Sequence, residues 1–485
     1  MKAFAIALVV ASVSAVPLRA QQTASLQQRI EGQLRQASPG TRFGLVVATR
    51  EGQELIAIAP DQRFIPASNT KIFTTAAAFV ALPAIDRPDT SGGARVRLER
   101  DRGGLLDVVL EGRGDARLSS ALECVVNCLS ALADAVAART RRVDDVIGDD
   151  RWFPDERWSL GMSWNNIHTR SGTAISALTV DDNELKLRVL PTVPGTSPRV
   201  ELPPYFTVEN GAVTVKAGES DLVFDRLPGS RVIRLAGTVV VGDTDESLNL
   251  GIDDPAHYAA WRLKALLEER GIKVRGEIKT RHRPPVPTDQ DRGEDKVLPW
   301  RPPETTPLAR LIPPPLVDDL TIINKESHNV HAELMLRRVG RTKGDGSVAD
   351  GVAAVEAMLN SAGVPRTLFD FSDGSGMSTY NRVAPRATVM LLRWIGAQPW
   401  AQAWRKTLPI AGVDGTLDER FKGTWLQGRL FAKTGTLNAT NALSGYMTAR
   451  SGRTLLFAAY ANDVPGGGSA RAAIDSALVA IAAEN

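Results

Sequence analysis

The spacing of three short polar motifs constrains the fold of this 485-residue chain more than any other feature of its sequence. The motifs Ser68-Asn69-Thr70-Lys71, Ser327-His328-Asn329 and Lys433-Thr434-Gly435 follow one another in this order. The last two motifs lie 106 positions apart, a span that one domain accommodates, whereas Lys71 and Ser327 are 256 positions apart. If the three motifs meet in one site, a large insertion must separate the first motif from the second.

The first motif is predicted to open a helix that runs from Ser68 to Leu82. The alanine-rich interior at residues 75–78 favours a helix, and Pro66 limits the chain just ahead of it to extended or turn conformations. Ser68 would then lie at the helix N-terminus, where exposed N–H groups and the positive end of the helix dipole favour negative charge. Lys71 shares the face of Ser68, so it can act as the base that a serine nucleophile needs.

The third motif follows an apolar run at residues 430–432 and then turns polar, which predicts a strand lining a pocket. Gly435 would allow a substrate backbone to approach that strand closely. The Lys433 ammonium and the hydroxyls of Thr434 and Thr436 can together hold a carboxylate, through charge and hydrogen bonds.

The second motif precedes an amphipathic stretch at residues 330–336, so Ser327 and Asn329 are predicted to lie on a loop or first helical turn that faces outward. Each motif alone has an ordinary structural explanation, as a helix cap, a solvated lysine or a strand end with a turn glycine. A Ser-x-x-Lys match also arises by chance about once or twice in a chain of this length. The functional argument therefore depends on the ordered combination.

With these motifs, the chain resembles the D-alanyl-D-alanine carboxypeptidase/endopeptidase family, the class C low-molecular-mass penicillin-binding proteins. The resemblance implies peptidoglycan stem peptides or their cross-links as substrates and β-lactam antibiotics as covalent inhibitors. We expect no cofactor and no metal in the site. The further segments that carry the resemblance are residues 112–115, 181–183, 324–329, 332–333, 373–378 and 411–417.

The resemblance also implies the roles of the residues that make and break bonds. Ser68 would be acylated, Lys71 would be its general base, and Ser327 would pass a proton to the leaving amine. The backbone N–H groups of Ser68 and Thr436 would form the oxyanion hole, which requires no reorganisation when the tetrahedral intermediate forms.

Substrate binding is implied for the remaining motif residues. Asn329 would hold the substrate amide. Lys433, with Thr434 and Thr436, would hold the terminal carboxylate of the peptide.

One departure from the family concerns the side chain that precedes D-Ala-D-Ala. Relatives often carry an arginine after the 373–378 segment, proposed to bind the acidic end of a diaminopimelate side chain, but this chain has Thr379. Asp149 matches the other polar contact, and Arg382 is close enough in sequence to substitute for the missing arginine. We therefore expect Asp149 and Arg382 to set specificity for this side chain.

The predicted fold class is α+β, with a β-lactamase/transpeptidase-like catalytic domain formed by an antiparallel sheet flanked by helices. We assign residues 21–90 and 300–485 to this domain, 91–172 and 262–299 to an inserted domain, and 173–261 to a second insert within it, as the resemblance implies. Strands of the catalytic domain are expected at residues 43–48, 55–58, 443–447 and 454–460, with a C-terminal helix at 469–483. In the inserts, strands are expected at 95–100, 106–110 and 232–236 and helices at 122–139 and 258–270.

The N-terminus predicts export. Met1-Lys2 and the apolar run at residues 3–11 are typical of a signal peptide, cleaved after Ala15 or Ala20, so we assign residues 1–20 to it and the mature protein to the periplasm or cell envelope. No stretch of the mature chain is long and apolar enough to be a transmembrane anchor. The net charge of +3, without long runs of either sign, gives no basis for nucleic-acid binding.

The two cysteines, Cys124 and Cys128, leave two possibilities open. A cysteine pair in an exported protein suggests a disulfide, but a four-residue spacing would strain a bond inside a regular helix. The pair is not a zinc site, because no histidine lies at a suitable local spacing. His328 stands where relatives carry another residue, and we expect its ring at the pocket rim, with a proton relay as the alternative.

Two other functions fit the same fold. In class A β-lactamases a Glu-x-x-Leu-Asn pattern positions a deacylating water, and residues 356–360 match that pattern. Their setting, an amphipathic helix that ends at Gly363, predicts instead that Glu356 faces solvent. A non-catalytic wall-binding protein would keep the fold without the chemistry, but every expected catalytic side chain is present.

Overall fold

The computed structural model describes residues 25–243, 246–292 and 304–485. The expected signal peptide, residues 1–20, and the expected domain limit at residues 299–300 lie outside these ranges. Within the described residues, no helix combines the length and apolarity that crossing a membrane requires. The described residues form ten α-helices: α1 (Leu26–Ala37), α2 (Thr70–Ala81), α3 (Leu129–Ala137), α4 (Pro255–Glu269), α5 (Leu316–Lys325), α6 (Asn329–Gly340), α7 (Val348–Ser361), α8 (Pro385–Gly396), α9 (Ala401–Lys406) and α10 (Arg471–Glu484).

One sheet combines strands from both ends of the chain, and other sheets are formed by strands from its middle. They are β1 (Arg42–Thr49), β2 (Glu54–Ile58), β3 (Arg95–Arg100), β4 (Leu106–Glu111), β5 (Arg142–Val143), β6 (Val146–Asp149), β7 (Glu184–Leu190), β8 (Arg199–Glu201), β9 (Thr207–Asn210), β10 (Val213–Val215), β11 (Asp221–Asp225), β12 (Val232–Val240), β13 (Glu246–Gly251), β14 (Lys273–Val274), β15 (Ile278–Arg281), β16 (Ala309–Arg310), β17 (Phe369–Asp370), β18 (Arg382–Val383), β19 (Leu430–Leu437), β20 (Thr440–Thr448) and β21 (Thr454–Asn462).

A five-stranded antiparallel sheet, in the order β19-β20-β21-β1-β2, joins the two ends of the chain. Both of its faces are covered, so its central strands are apolar at successive positions rather than alternating. In β1, Val46 packs into the core beneath α2 and α8, whereas Val47 packs into the core beneath α1 and α10. This is the predicted antiparallel sheet flanked by helices, with Lys433 on its edge strand β19.

The helix α2 lies at the centre of the helical layer, against α5, α6 and α7. Ile72 and Phe73 are fully buried, and the small side chains of residues 76–78 allow the neighbouring helices to approach closely. Because the helix is buried on nearly all sides, Lys71 on its first turn is buried as well.

The long segment between the first two motifs forms sheets of its own. A five-stranded mixed sheet, in the order β15-β6-β4-β3-β16, packs against α3 and α4, and the antiparallel sheet β13-β7-β8 and the sheet formed by β9–β12 adjoin it. One hydrophobic core runs through this segment from Ala94 to Ile272. The expected limit at residues 261–262 falls inside α4, and the domain limits stay a prediction.

The helix expected at residues 122–139 begins later than predicted, at Leu129. Asn127 has a φ of +62° and Cys128 is extended, so the chain cannot continue a helix through them. Cys124 and Cys128 form a disulfide with Cα atoms 5.8 Å apart. The bond closes a loop that precedes α3, so the strain expected for a disulfide within a helix does not arise.

Candidate active site

The three motifs meet in space. The first lies at the start of α2, the second at the start of α6 and the third in the middle of β19. A single 3₁₀ turn, Ala67–Asn69, precedes α2, and it places the half-buried Ser68 at the start of the helix as predicted. Ala67 has a φ of +48°, and its carbonyl oxygen lies so close to Gly376 that a Cβ on Gly376 would be only 2.0 Å away. The turn that presents Ser68 therefore needs a glycine at position 376.

Lys71 contacts Ser68 as the helical spacing predicted, and it also contacts Asn329 and Ser375. Its Nζ lies 2.9 Å from Ser68 Oγ, 2.8 Å from Asn329 Oδ1 and 2.6 Å from the carbonyl oxygen of Ser375. Burial lowers the pKa of Lys71 from 10.5 to about 7. A neutral amine in this position can donate to Asn329 and Ser375 while its lone pair accepts the Ser68 proton.

Two buried carboxyl groups lie beneath Lys71. Glu333 Oε1 accepts hydrogen bonds from the N–H groups of Gly374 and Ser375, at 3.1 and 2.8 Å. The Asp373 carboxylate accepts hydrogen bonds from the N–H groups of Gly376 and Ser378. Burial raises the pKa of both, that of Glu333 to about 7. Their charges oppose the effect of burial on Lys71 and raise its pKa. Sequence reasoning did not assign these roles; the available signal was the i, i+4 spacing of Asn329 and Glu333 on α6.

A second lysine–serine pair faces the first. Lys433 Nζ donates to Ser327 Oγ at 2.9 Å and to the carbonyl oxygen of Thr434 at 3.1 Å. Burial, and then the charge of Lys71, lower the pKa of Lys433 well below its usual range. Ser327 has a φ of +61°, so the turn before α6 is held in a left-handed conformation that directs its hydroxyl to β19.

Asn329 joins the site to the inserted segment. Its Oδ1 accepts from Lys71, and its Nδ2 donates to the carbonyl oxygen of Ser171 at 3.0 Å. Ser171 belongs to a short turn, Arg170–Gly172, that sequence analysis did not connect with the site. The inserted segment therefore forms one side of the site.

The edge strand β19 carries the predicted polar side chains. A Cβ on Gly435 would lie 2.6 Å from the carbonyl oxygen of Pro66, so the turn before Ser68 approaches the strand closely at this glycine. The approach of a substrate backbone at Gly435 stays a prediction. Thr434 Oγ1 is 2.8 Å from Thr416 Oγ1. The exposed Thr436 accepts from Arg471 Nη2 at 3.1 Å, which adds a cation that the sequence did not point to.

Asp149 and Arg382, expected to set specificity, have separate sets of contacts in the described residues. Asp149 lies at the end of β6 and accepts from Arg151 Nη2 at 2.6 Å and from Arg151 Nε at 3.0 Å. The Arg382 guanidinium donates to the carbonyl oxygens of Thr379 and Asn381. Their joint part in specificity stays a prediction.

Two expectations about single side chains need correction. His328 is not at the pocket rim: its side chain is 3% exposed and packs against His331. Glu356 does not face open solvent either, because its half-buried carboxylate pairs with Arg292 at 3.1 Å and Arg366 at 3.3 Å. The helix that carries Glu356 does end at a left-handed Gly363, as predicted.

Comparison with known proteins agrees with this architecture. Residues 26–485 match the D-Ala-D-Ala carboxypeptidase 3 (S13) family. The chain is 35% identical over 431 residues to a D-alanyl-D-alanine carboxypeptidase of Actinomadura sp., covering 84% of this chain and 75% of that protein. It is 24% identical over 436 residues to the D-alanyl-D-alanine carboxypeptidase DacB of Haemophilus influenzae, covering 87% of this chain and 86% of that protein.

Solved structures show the same fold. The crystal structure of penicillin binding protein 4 (dacB) from Haemophilus influenzae superposes with a TM-score of 0.75 at 22% identity, covering 93% of this chain and 97% of that chain. That protein has also been solved with a bound β-lactam, with a TM-score of 0.70. The structure thus has the predicted α+β fold of the β-lactamase/transpeptidase-like class. The chain belongs to the D-Ala-D-Ala carboxypeptidase 3 (S13) family, a family of peptidases.

Proposed function

We propose that this protein is an exported, serine-type D-alanyl-D-alanine carboxypeptidase/endopeptidase that hydrolyses peptidoglycan stem peptides or cross-links through a Ser68 acyl-enzyme and is acylated by penicillin. The observation that carries the proposal is a buried Lys71 amine, with a pKa of about 7, at 2.9 Å from Ser68 Oγ. A base with a pKa near the working pH combines the correct protonation state with sufficient basicity.

In the acylation step, Ser68 Oγ attacks the carbonyl carbon of the penultimate D-alanine while its proton passes to Lys71 Nζ. The oxyanion would be held by the N–H groups of Ser68 and Thr436. The direction of the Thr436 N–H supports this role: on the outer edge of β19, Ala432 donates to the carbonyl oxygen of Pro409 at 3.1 Å. Because strand N–H groups alternate, those of Thr434 and Thr436 point to the same side as that of Ala432.

The leaving group departs on the other side of the site. Ser327 Oγ, held by Lys433 Nζ, would pass a proton to the amine of the terminal D-alanine as the C–N bond breaks. The proton that Lys71 took from Ser68 would replace it on Ser327, which leaves Lys71 neutral again. A water molecule then attacks the Ser68 ester, which releases the shortened peptide and restores the serine hydroxyl. Lys71 is the base available for that step.

The terminal carboxylate of the substrate would bind along β19. The hydroxyls of Thr434 and Thr436 lie on this strand. Asn69 Nδ2, at the start of α2, donates to the carbonyl oxygen of Lys433 at 2.9 Å and so holds the strand against the helix. Arg471, which already donates to Thr436, adds positive charge beside it. This strand therefore offers both hydrogen bonds and charge to a carboxylate.

The proposed function can be tested with purified protein on a D-Ala-D-Ala peptide and on purified sacculi. Released D-alanine reports carboxypeptidase activity, and monomeric muropeptides formed from dimers report cross-link hydrolysis. Pretreatment with penicillin should remove both activities. A protein that yields neither product and no penicillin adduct would be a wall-binding protein, and rapid penicillin turnover without peptide hydrolysis would indicate a β-lactamase.

Arg382→Ala should reduce hydrolysis of diaminopimelate-containing peptides more than that of lysine-containing ones, because a guanidinium can pair with the extra carboxylate. We propose that Asp149 completes this subsite, and Asp149→Asn should show the same preference. The matched control is Arg63→Ala, which removes a neighbouring arginine that pairs with Asp370. Equal losses on both peptides for Arg382→Ala would contradict the assignment.

Glu356→Gln should release bound penicillin at the parental rate. The Glu356 carboxylate is already paired with the Arg292 and Arg366 guanidinium groups. The lifetime of the acyl-enzyme, followed by intact mass, measures this. A much longer lifetime in the variant would assign Glu356 to deacylation and favour the β-lactamase alternative.

A further inference from the structure

A second cluster of polar side chains lies behind the Ser327-His328-Asn329 turn and has no part in the chemistry above. It consists of His328 and His331, at the start of α6, and Asp182, from the inserted segment. His331 Nε2 lies 2.9 Å from Asp182 Oδ1, and His328 Nε2 lies 3.6 Å from Asp182 Oδ2. One ligand atom from each residue lies within 4.8 Å of the others.

His328 is the member of the cluster that most needs a ligand. Its side chain is 3% exposed, yet neither ring nitrogen has a hydrogen-bond partner in the described residues. A buried polar group without a partner is unfavourable, and such groups are rare in folded proteins. The Nε2 atom is directed at two carboxylates, those of Asp182 at 3.6 Å and Glu184 at 3.7 Å.

His331 is oriented by a group outside the cluster. Its Nδ1 lies 3.2 Å from Oδ1 of the buried Asp319, on α5. A carboxylate at Nδ1 holds a proton on that nitrogen, so the proton at Nε2, which now lies between the ring and Asp182 Oδ1, is the one that a cation would displace. Histidines that bind metals in proteins are commonly held in this way.

We propose that Asp182, His328 and His331 bind a divalent transition-metal cation of the zinc class, and that Glu184, whose Oε1 lies 3.7 Å from His328 Nε2, moves in as the fourth ligand. Imidazole nitrogens and carboxylate oxygens in this combination suit zinc. Donors at about 2.1 Å from a tetrahedral zinc lie about 3.4 Å from one another, and the distances between 2.9 and 3.7 Å in this cluster are near that value.

The surroundings of the cluster allow a cation to enter. The Asp182 side chain is 43% exposed, so the site opens to solvent on that side. Arg170 Nε lies 2.9 Å from Glu184 Oε1, and this guanidinium, itself 47% exposed, would turn away when a cation takes its place.

The bound metal would hold the inserted segment against the catalytic turn. His328 lies between Ser327 and Asn329, so a ligand on its ring fixes the left-handed turn that directs the Ser327 hydroxyl. The role assigned to the metal is structural, and no catalytic step depends on it. Sequence analysis expected no metal. His331 and Asp182 lie 149 positions apart, so no local ligand spacing in the sequence marks this cluster.

The test uses the full-length protein without an affinity tag, stripped with a chelator and dialysed against zinc. We expect one equivalent of zinc per chain by elemental analysis, and Co²⁺ as a probe should give the visible absorption of a four-coordinate site. His328→Gln should weaken zinc binding at least tenfold, and Asp319→Asn, which alters only the orienting carboxylate, by about 10- to 100-fold.

The matched control is His257→Gln. The His257 ring contacts Arg231 Nη2 at 3.0 Å and Tyr205 Oη at 3.4 Å, and it belongs to no cluster of carboxylates and histidines in the described residues. This variant should keep the zinc equivalent. If the His328→Gln variant does not fold, the zinc measurement is made on Asp182→Asn, which changes the exposed side of the site. Wild-type protein without bound zinc above the dialysis buffer, or equal binding by the cluster variants, would overturn the proposal and leave a purely ionic histidine–aspartate network.

Discussion

Ser68→Ala should abolish covalent labelling by penicillin and hydrolysis of D-Ala-D-Ala peptides while leaving the fold intact. Removing the nucleophile of a serine hydrolase lowers the rate roughly a million-fold. The structural effect is small because the Ser68 hydroxyl is half-exposed and its hydrogen bond is with Lys71 Nζ, so its loss costs about 1 kcal/mol. Intact-mass measurement after penicillin treatment, followed by peptide mapping, identifies the labelled residue.

Ser327→Ala is the matched control for Ser68→Ala. It removes a hydroxyl of the same site, one that contacts Lys433, but leaves the nucleophile and its base in place. Labelling should therefore become slower and remain on Ser68. An adduct on any other residue of the wild-type protein, or full labelling of Ser68→Ala, would show that the nucleophile is wrongly assigned.

The acylation rate of the wild-type protein should rise with pH through about 7 and level off above it. Lys71 can accept the Ser68 proton only when it is neutral, and burial lowers its pKa from 10.5 to about 7. Below that pH the ammonium donates to Ser68, Asn329 and Ser375 and has no lone pair to offer. Rates of penicillin labelling under single-turnover conditions between about pH 5 and 9 measure this profile.

Lys71→Met should abolish acylation at every pH, because an unactivated serine is a weak nucleophile and methionine fills a similar volume without an amine. A variant that still acylates, or a wild-type rate that falls as pH rises through about 7, would contradict the role of Lys71. Lys433→Met is the comparison, since it also removes a buried amine but leaves the Ser68–Lys71 contact in place. The remaining acylation rate of Lys433→Met should still rise with pH through about 7.

The same shift in pKa has a consequence for stability. Lys71 titrates at about 7 in the folded protein and near 10.5 when unfolded, so between these values the unfolded chain binds more protons. This group therefore makes the folded state more stable as pH rises from about 7 to about 10.5 and opposes folding most below that window. A buried, weakly basic lysine thus supports catalysis at the expense of stability.

Local rules were sufficient to place the main candidate residues of the site from the sequence. A proline followed by an alanine-rich stretch predicts where α2 begins, and the three-residue spacing places Lys71 beside Ser68. The apolar run that turns polar predicts β19, and the structure confirms it with Lys433 at its centre. The fold class followed from the resemblance that these motifs carry, and the spacing between them required the insertion.

Contacts between distant parts of the chain were decided only by the tertiary structure. Asn329 and Ser171 are 158 positions apart, and no periodic pattern in the sequence encodes such a pair. The burial of His328 against Asp182 and the disulfide loop before α3 likewise depend on how the inserted segment packs and turns. Burial also sets the pKa of Lys71. The groups that exclude water from the amine lower this pKa, and they surround the amine only in the folded chain.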